Sequence, residues 1–246
     1  MSDDPQFHFS IQPLPQGEAV TFEEVEQRLL KQLEERGGEC RGTLWDLVSI
    51  YSRVGKIETA TGYLERIVEL AGDDVEEVAA CHLSLGCQME KKGDYHAAVA
   101  YYRAAFGMEP TKTGTWYYIH NNLGFSLNQL GHFEEAEPIL RTAIEINPQR
   151  PNGHKNLGLC LVGLDHHREA AKCFVEATRA QAADGRSLRH LEELVQDHPE
   201  LLEDVPGLEQ ELTNCRGAVK LARSQQHDLE AYWHQCRKEQ EEEGGE

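Results

Sequence analysis

The side chains best placed for recognition chemistry are two asparagines, Asn122 and Asn156, set 34 residues apart in similar surroundings. A primary amide carries both a donor and an acceptor, so it can pair with one peptide unit of an extended chain without reading its side chain. The same amides can instead bond within a stack of helices and satisfy backbone groups there. Lys155 and Arg53 would add a carboxylate contact. Other reactive residue types lack the spacing their chemistry needs. Among the 12 histidines, His82, His120 and His154 come without a local HxxxH or a carboxylate pair, so packed or surface imidazoles are expected rather than metal ligands. His166-His167 reads as a solvated turn. The cysteines (Cys40, Cys81, Cys87, Cys160, Cys173, Cys215 and Cys236) are odd in number and contain no CxxC pair. That predicts reduced, mostly packed thiols. No nucleophile elbow, phosphate-cradling glycine loop or HExxH occurs. The chain is therefore read as a non-enzyme with no cofactor and no metal.

The elements that must position these residues follow from an internal repeat. From Tyr117 the chain reads YYIHNNLGFSLNQLGHFEEAEPILRTAIEINP, and from Pro151 it reads PNGHKNLGLCLVGLDHHREAAKCFVEATRAQA. Leu123-Gly124 falls on Leu157-Gly158, Ala136 on Ala170 and Ala143 on Ala177. A third copy starts at Ala79, with Leu85-Gly86, Gly93, Tyr95, Ala98, Ala105 and Pro110 in the matching places. A weaker first copy starts near Arg41, where Leu47, Tyr51, Gly55, Ala60 and Leu64 fit. The first two copies are followed by steps of 38 residues. Four extra residues are about one helical turn, so the phase survives. Apolar residues at spacings of three and four mark each copy as two amphipathic helices. Gly93 and Gly131 suit the reversal between them. Gly86, Gly124 and Gly158 allow the paired helix to come close, and Pro110 and Pro148 end the second helix. One such hairpin cannot bury its own apolar face, whereas stacked copies can.

This L-G…G-x-[YF]-x-x-A…A…P pattern resembles the tetratricopeptide repeat family over about residues 41–184. The resemblance implies an all-α fold, a right-handed superhelix of stacked antiparallel helix pairs (a TPR-like α-solenoid), with repeats at about 41–74, 79–112, 117–150 and 151–184. Three departures stand out. His82, His120 and His154 replace the bulky aromatic expected early in the first helix. Asp165 stands where a turn glycine is usual, and the last copy lacks the closing proline. The resemblance further implies a concave face lined by the first helices. Trp45, Asp46, Ser49 and Arg53 would project there from the first copy, and Ser84, Cys87 and Lys91 from the second. Tyr118, Asn121, Asn122, Phe125 and Asn128 would follow from the third, and Asn152, Lys155 and Asn156 from the fourth. Relatives use asparagine at the position of Asn122 and Asn156 to hold a peptide backbone. The full basic clamp that some members use for acidic C-terminal peptides is not reproduced.

The flanks read as caps. Residues 1–19 are extended and uncommitted, and 20–40 form an N-terminal capping helix. Thr21 with Glu24 makes a capping box there, and Phe22, Val25, Leu29 and Leu33 form the stripe that covers the first repeat. Residues 185–240 are C-terminal helices, broken at Pro199 and Pro206, and 241–246 a disordered tail. From Leu208 the positions Leu212, Cys215, Val219, Ala222, Gln226, Leu229, Trp233 and Cys236 alternate spacings of four and three, which is a heptad seam. Such a seam is either a cap packed on the last repeat or a homodimer contact through residues 208–236.

Composition narrows the partners. Acidic residues number 43 against 24 basic, for a net charge of −19. A chain this acidic repels phosphate backbones, which argues against nucleic acid and favours basic protein surfaces. The N-terminus lacks a basic n-region and an apolar h-region, and no run approaches 18 apolar residues, so no membrane insertion and a cytoplasmic location are expected. The function expected is a protein–protein interaction adaptor that binds a peptide in the groove of its repeats. A homo-oligomeric scaffold assembled through the C-terminal helix is the alternative.

Overall fold

The tripeptide Lys92-Gly93-Asp94 shows how one helix pair is made. Gly93 takes φ 77°, the left-handed conformation, and its N–H bonds back to Glu90 and Met89, which closes the helix before it. Asp94 then accepts the Ala97 N–H at 3.0 Å and opens the next helix. The computed structural model describes residues 21–243, and their regular structure is helical, with no strand among them. The expected extended segment 1–19 lies outside the described residues, as do residues 244–246 of the expected tail. The helices divide between two compact units, residues 1–130 and 131–246.

The first unit holds α1 (Phe22–Glu35), α2 (Arg41–Arg53), α3 (Ile57–Ala71), α4 (Val75–Lys92), α5 (Tyr95–Phe106) and α6 (Thr113–Gln129). Thr21 caps α1, and its capping box with Glu24 is formed in both directions. Leu29 and Leu33 of α1 join Leu44, Leu47, Ile50, Leu64, Ile67 and Leu85 in one buried cluster, with Phe22 and Val25 packed at its edge. The extra residues of the longer repeat steps appear in the first helix of the pair. α4 and α6 have 18 and 17 residues, against 13 in α2. Those added turns bond to neighbours. Glu77 accepts from Arg41 and from Trp45 Nε1 at 3.3 Å. Glu76 accepts from the Thr111 backbone, from Thr111 Oγ1 at 2.6 Å and from the Lys112 N–H at 3.3 Å. Trp116, in the added turn of α6, stacks on Phe106 at 5.2 Å and meets His120 edge-on at 4.4 Å.

The second unit holds α7 (Phe133–Ile146), α8 (Pro151–Gly163), α9 (His167–Ala180), α10 (Arg186–Asp197), the short α11 (Leu201–Asp204) and α12 (Leu208–Glu243), with a 3-10 turn at Ala182–Asp184. α12 is helical three residues beyond the expected end at 240. Only part of its seam is used inside the chain. Leu208, Leu212, Cys215 and Val219 are buried, whereas Leu229 and Trp233 are exposed. The first half of the seam is covered by this chain's own helices, so only its distal half is exposed.

Helix pairing rests on missing Cβ atoms. The Tyr102 ring lies against Gly86, where any Cβ would overlap it, and a Cβ on Gly158 would stand 2.6 Å from the Phe174 ring. Gly158→Ala is expected to destabilise the protein by about 1–3 kcal/mol in chemical denaturation, because a packed ring has nowhere to go. At the equivalent of Gly93 in the last pair stands Asp165, held at φ 59°. A left-handed conformation strains a non-glycine residue. Asp165→Gly is thus expected to raise stability by up to about 1 kcal/mol, read as a higher denaturation midpoint with unchanged slope.

Candidate peptide-binding surface

In the first unit a string of polar groups joins α2, α4 and α6. The Tyr102 hydroxyl, seated over Gly86, donates to Cys87 Sγ at 3.5 Å. Asn122 Nδ2 reaches the same sulfur from α6 at 3.4 Å, and Asn121 Nδ2 donates to Asn122 Oδ1 at 2.9 Å. One turn along, Ser126 Oγ donates to Glu90 at 2.8 Å. Gln88 Nε2 donates to Ser52 Oγ at 2.8 Å and Lys91 Nζ to the Ser52 carbonyl at 3.2 Å, which ties α4 to α2. The Asn122 amide is therefore held in one orientation while remaining half-exposed.

The predicted residues of this unit divide by accessibility. Tyr118, Asn122 and Phe125 are half-buried, and Phe125 meets the Tyr95 ring edge-on at 6.1 Å. Arg53 is exposed in the last turn of α2. Asn121 and Asn128 are only 5 % and 8 % exposed, which leaves them to orient neighbours more than to touch a ligand. Glu90, Tyr102, Ser52 and Ser126 belong to this surface and were missed in the sequence. Glu90 was within reach of sequence reasoning, since it follows Cys87 by three residues and so shares its face of α4. Burial pushes the Glu90 carboxyl above its ordinary range, against a smaller lowering by the Ser126 hydroxyl. Burial raises Asp46 and Cys87 as well.

In the second unit, Asn152 is exposed and accepts from Lys155 Nζ at 3.3 Å. Lys155 is half-buried. Burial lowers its pKa, Arg186 lowers it further by repulsion and Asp184 opposes both. Asn156 is 4 % exposed, so almost none of its amide faces solvent. The two asparagines that correspond in sequence thus differ in environment: Asn122 is accessible and Asn156 is enclosed.

The histidines have packing roles. His120 is buried and donates from Nδ1 to the Trp116 carbonyl at 2.8 Å; burial lowers its pKa, against a smaller rise from that bond. His82 is half-buried and its pKa is likewise lowered by burial. His154 donates from Nε2 to the Pro148 carbonyl at 2.9 Å. His167 departs from the solvated turn expected of it. It is half-buried and its ring lies 3.7 Å from that of His198, beside a cavity of about 310 Å³ lined by Asp165, Glu200 and Asp204 among others. Among the described residues no three His, Cys, Asp or Glu are placed to hold a metal ion, and no helix is long and apolar enough to cross a membrane.

Stacked antiparallel helix pairs with small residues at the crossings define a helical-repeat protein. The tetratricopeptide repeat family matches residues 80–112 and 117–150. The chain therefore carries tetratricopeptide repeats over those residues. It is 24 % identical over 132 residues to the tetratricopeptide repeat-containing protein trd-1 of Caenorhabditis elegans, a match covering 53 % of this chain but only 15 % of that one. Solved structures share the fold. MamA of Desulfovibrio magneticus RS-1, from residue 41 to its end, superimposes with TM-score 0.57 at 17 % identity, covering 73 % of this chain and 95 % of that one. YrrB, titled a TPR protein with an unusual peptide-binding site, superimposes with TM-score 0.55 at 20 % identity over 81 % and 97 %. PilF of Pseudomonas aeruginosa gives 0.58 at 20 % identity over 74 % and 76 %.

The raised Glu90 carboxyl carries a pH signature. A group that binds its proton more tightly folded than unfolded adds stability below its unfolded pKa and loses it as pH rises through the folded value. Starting from an ordinary value of 4.5, the wild-type protein is expected to lose stability relative to Glu90→Gln as pH rises from about 4 toward neutrality. Parallel denaturation curves of the two proteins across that range check it, and a constant difference would refute the assignment.

Proposed function

We propose that this chain is a protein–protein interaction adaptor that takes an extended peptide segment of a partner on the first-helix surface of residues 41–130. The observation that carries the proposal is the Asn122 amide, fixed by bonds to Cys87 and Asn121 yet half-exposed, with Tyr118 and Phe125 half-buried on the same helix. A fixed amide pairs with a peptide unit at little cost in ordering, and flanking rings supply apolar contact. The net charge of −19 favours a segment with basic side chains. Asn152 and Lys155 offer a separate polar contact on α8. Asn156 is read as positioning that helix, in keeping with its burial.

The test is selection of extended peptides from a displayed random library against the full chain, followed by calorimetric titration of the winners. Asn122→Ala and Phe125→Ala are each expected to weaken binding about tenfold, equivalent to about 1.4 kcal/mol. Asn122→Ala gives up the bond from Asn121 as well as the weak one to the Cys87 sulfur, so its stability should fall by about 1 kcal/mol, and its titration is run well below its unfolding midpoint. Winners that bind both variants as tightly as the wild type would place the binding surface elsewhere. Enrichment of acidic rather than basic peptides would overturn the charge assignment.

A further inference from the structure

The distal half of α12 is long and helical, and its large apolar side chains are exposed among the described residues. Its seam is spent on packing as far as Val219, which is 4 % exposed. The same four-and-three spacing continues through Ala222, Gln226, Leu229, Trp233 and Cys236. There Leu229 is 55 %, Tyr232 60 % and Trp233 57 % exposed. The helix runs on to Glu243, so roughly 36 Å of it extends past its last buried anchor. Helices in proteins draw most of their stability from packing an apolar face rather than from intrinsic propensity.

We propose that this stretch pairs antiparallel with the same stretch of a second copy of the chain. The choice of occupant and direction comes from size and charge along the seam. Setting Gln226 against Leu229 of the second copy places the large Trp233 ring over the small Ala222 of the second copy, and the converse by symmetry. The same register brings Arg223 beside Glu230 of the second copy, twice over. Both side chains are exposed, although the Arg223 guanidinium rests against Gly185. The ion pairs of α12 among the described residues are Arg216–Glu192, Arg179–Glu211 and His227–Asp228, and none uses Arg223 or Glu230. Among the described residues Glu230 accepts a neutral amide bond, from Gln226 Nε2 at 3.0 Å. Parallel pairing lacks this match, because the same flanking positions then face Ala218 and Gln225.

Sedimentation equilibrium of the full chain tests the proposal, independently of any peptide binding. The wild type is expected to be a dimer in concentration-dependent exchange with monomer. Leu229→Glu and Trp233→Glu should each raise the dimer dissociation constant by at least about tenfold while circular dichroism stays helical. Arg223→Glu alone and Glu230→Arg alone should each weaken the dimer about tenfold through two like-charge contacts, and the double reversal should recover it. A wild-type chain that stays monomeric at every concentration overturns the proposal. So does a dimer indifferent to Leu229→Glu, and a double reversal that fails to recover overturns the antiparallel register.

Discussion

A ring resting on a glycine is the contact on which two of the helix pairs, α4–α5 and α8–α9, depend. Tyr102 on Gly86 and Phe174 on Gly158 bring the second helix of a pair close enough for Ala98 and Ala170, both fully buried, to pack against the first. Tyr102 also carries a hydroxyl, and the close approach sets it against Cys87. The apolar crossing and the polar string on the α4–α6 surface are therefore two ends of one side chain. Replacing the ring by a smaller residue would loosen the crossing and release the thiol together.

That surface spends most of its polar atoms on itself. Asn121 bonds Asn122, Asn122 bonds Cys87 and Ser126 bonds Glu90. Each bond removes rotational freedom that a ligand would otherwise have to remove. The cost is borne by Glu90, whose burial makes ionisation harder than in water. A carboxylate held in this way attracts a cation more strongly than one in open water, since the medium around it screens less.

The parts legible in the sequence are those set by short-range rules. The capping box at Thr21, the left-handed turn at Gly93 and the bare helix face at Gly86 each need only a few neighbouring residues, and each is where the spacing put it. The repeat phase was also legible, since it depends on periodicity alone. What escaped depends on distances between elements. Nothing local separates Asn122 from Asn156, yet one amide is accessible and the other enclosed. His167 and His198 lie 31 residues apart and stack because α11 folds back beside the start of α9. The seam of α12 runs unbroken in the sequence, and only the extent of the neighbouring helices determines that burial stops at Val219.

The first turn of α4 has a consequence for how the first unit melts. Glu76 and Glu77 are adjacent, but one grips the segment before α6 and the other grips α2. In a repeat array, stability is the sum of each repeat and its interfaces, and weak interfaces let repeats unfold one at a time. Two carboxylates on a single turn make that turn common to the interfaces before and after it. Loss of α2 breaks the Glu77 bonds and loss of α6 the Glu76 bonds, so fraying from either end loosens the same turn of α4 and couples the two interfaces.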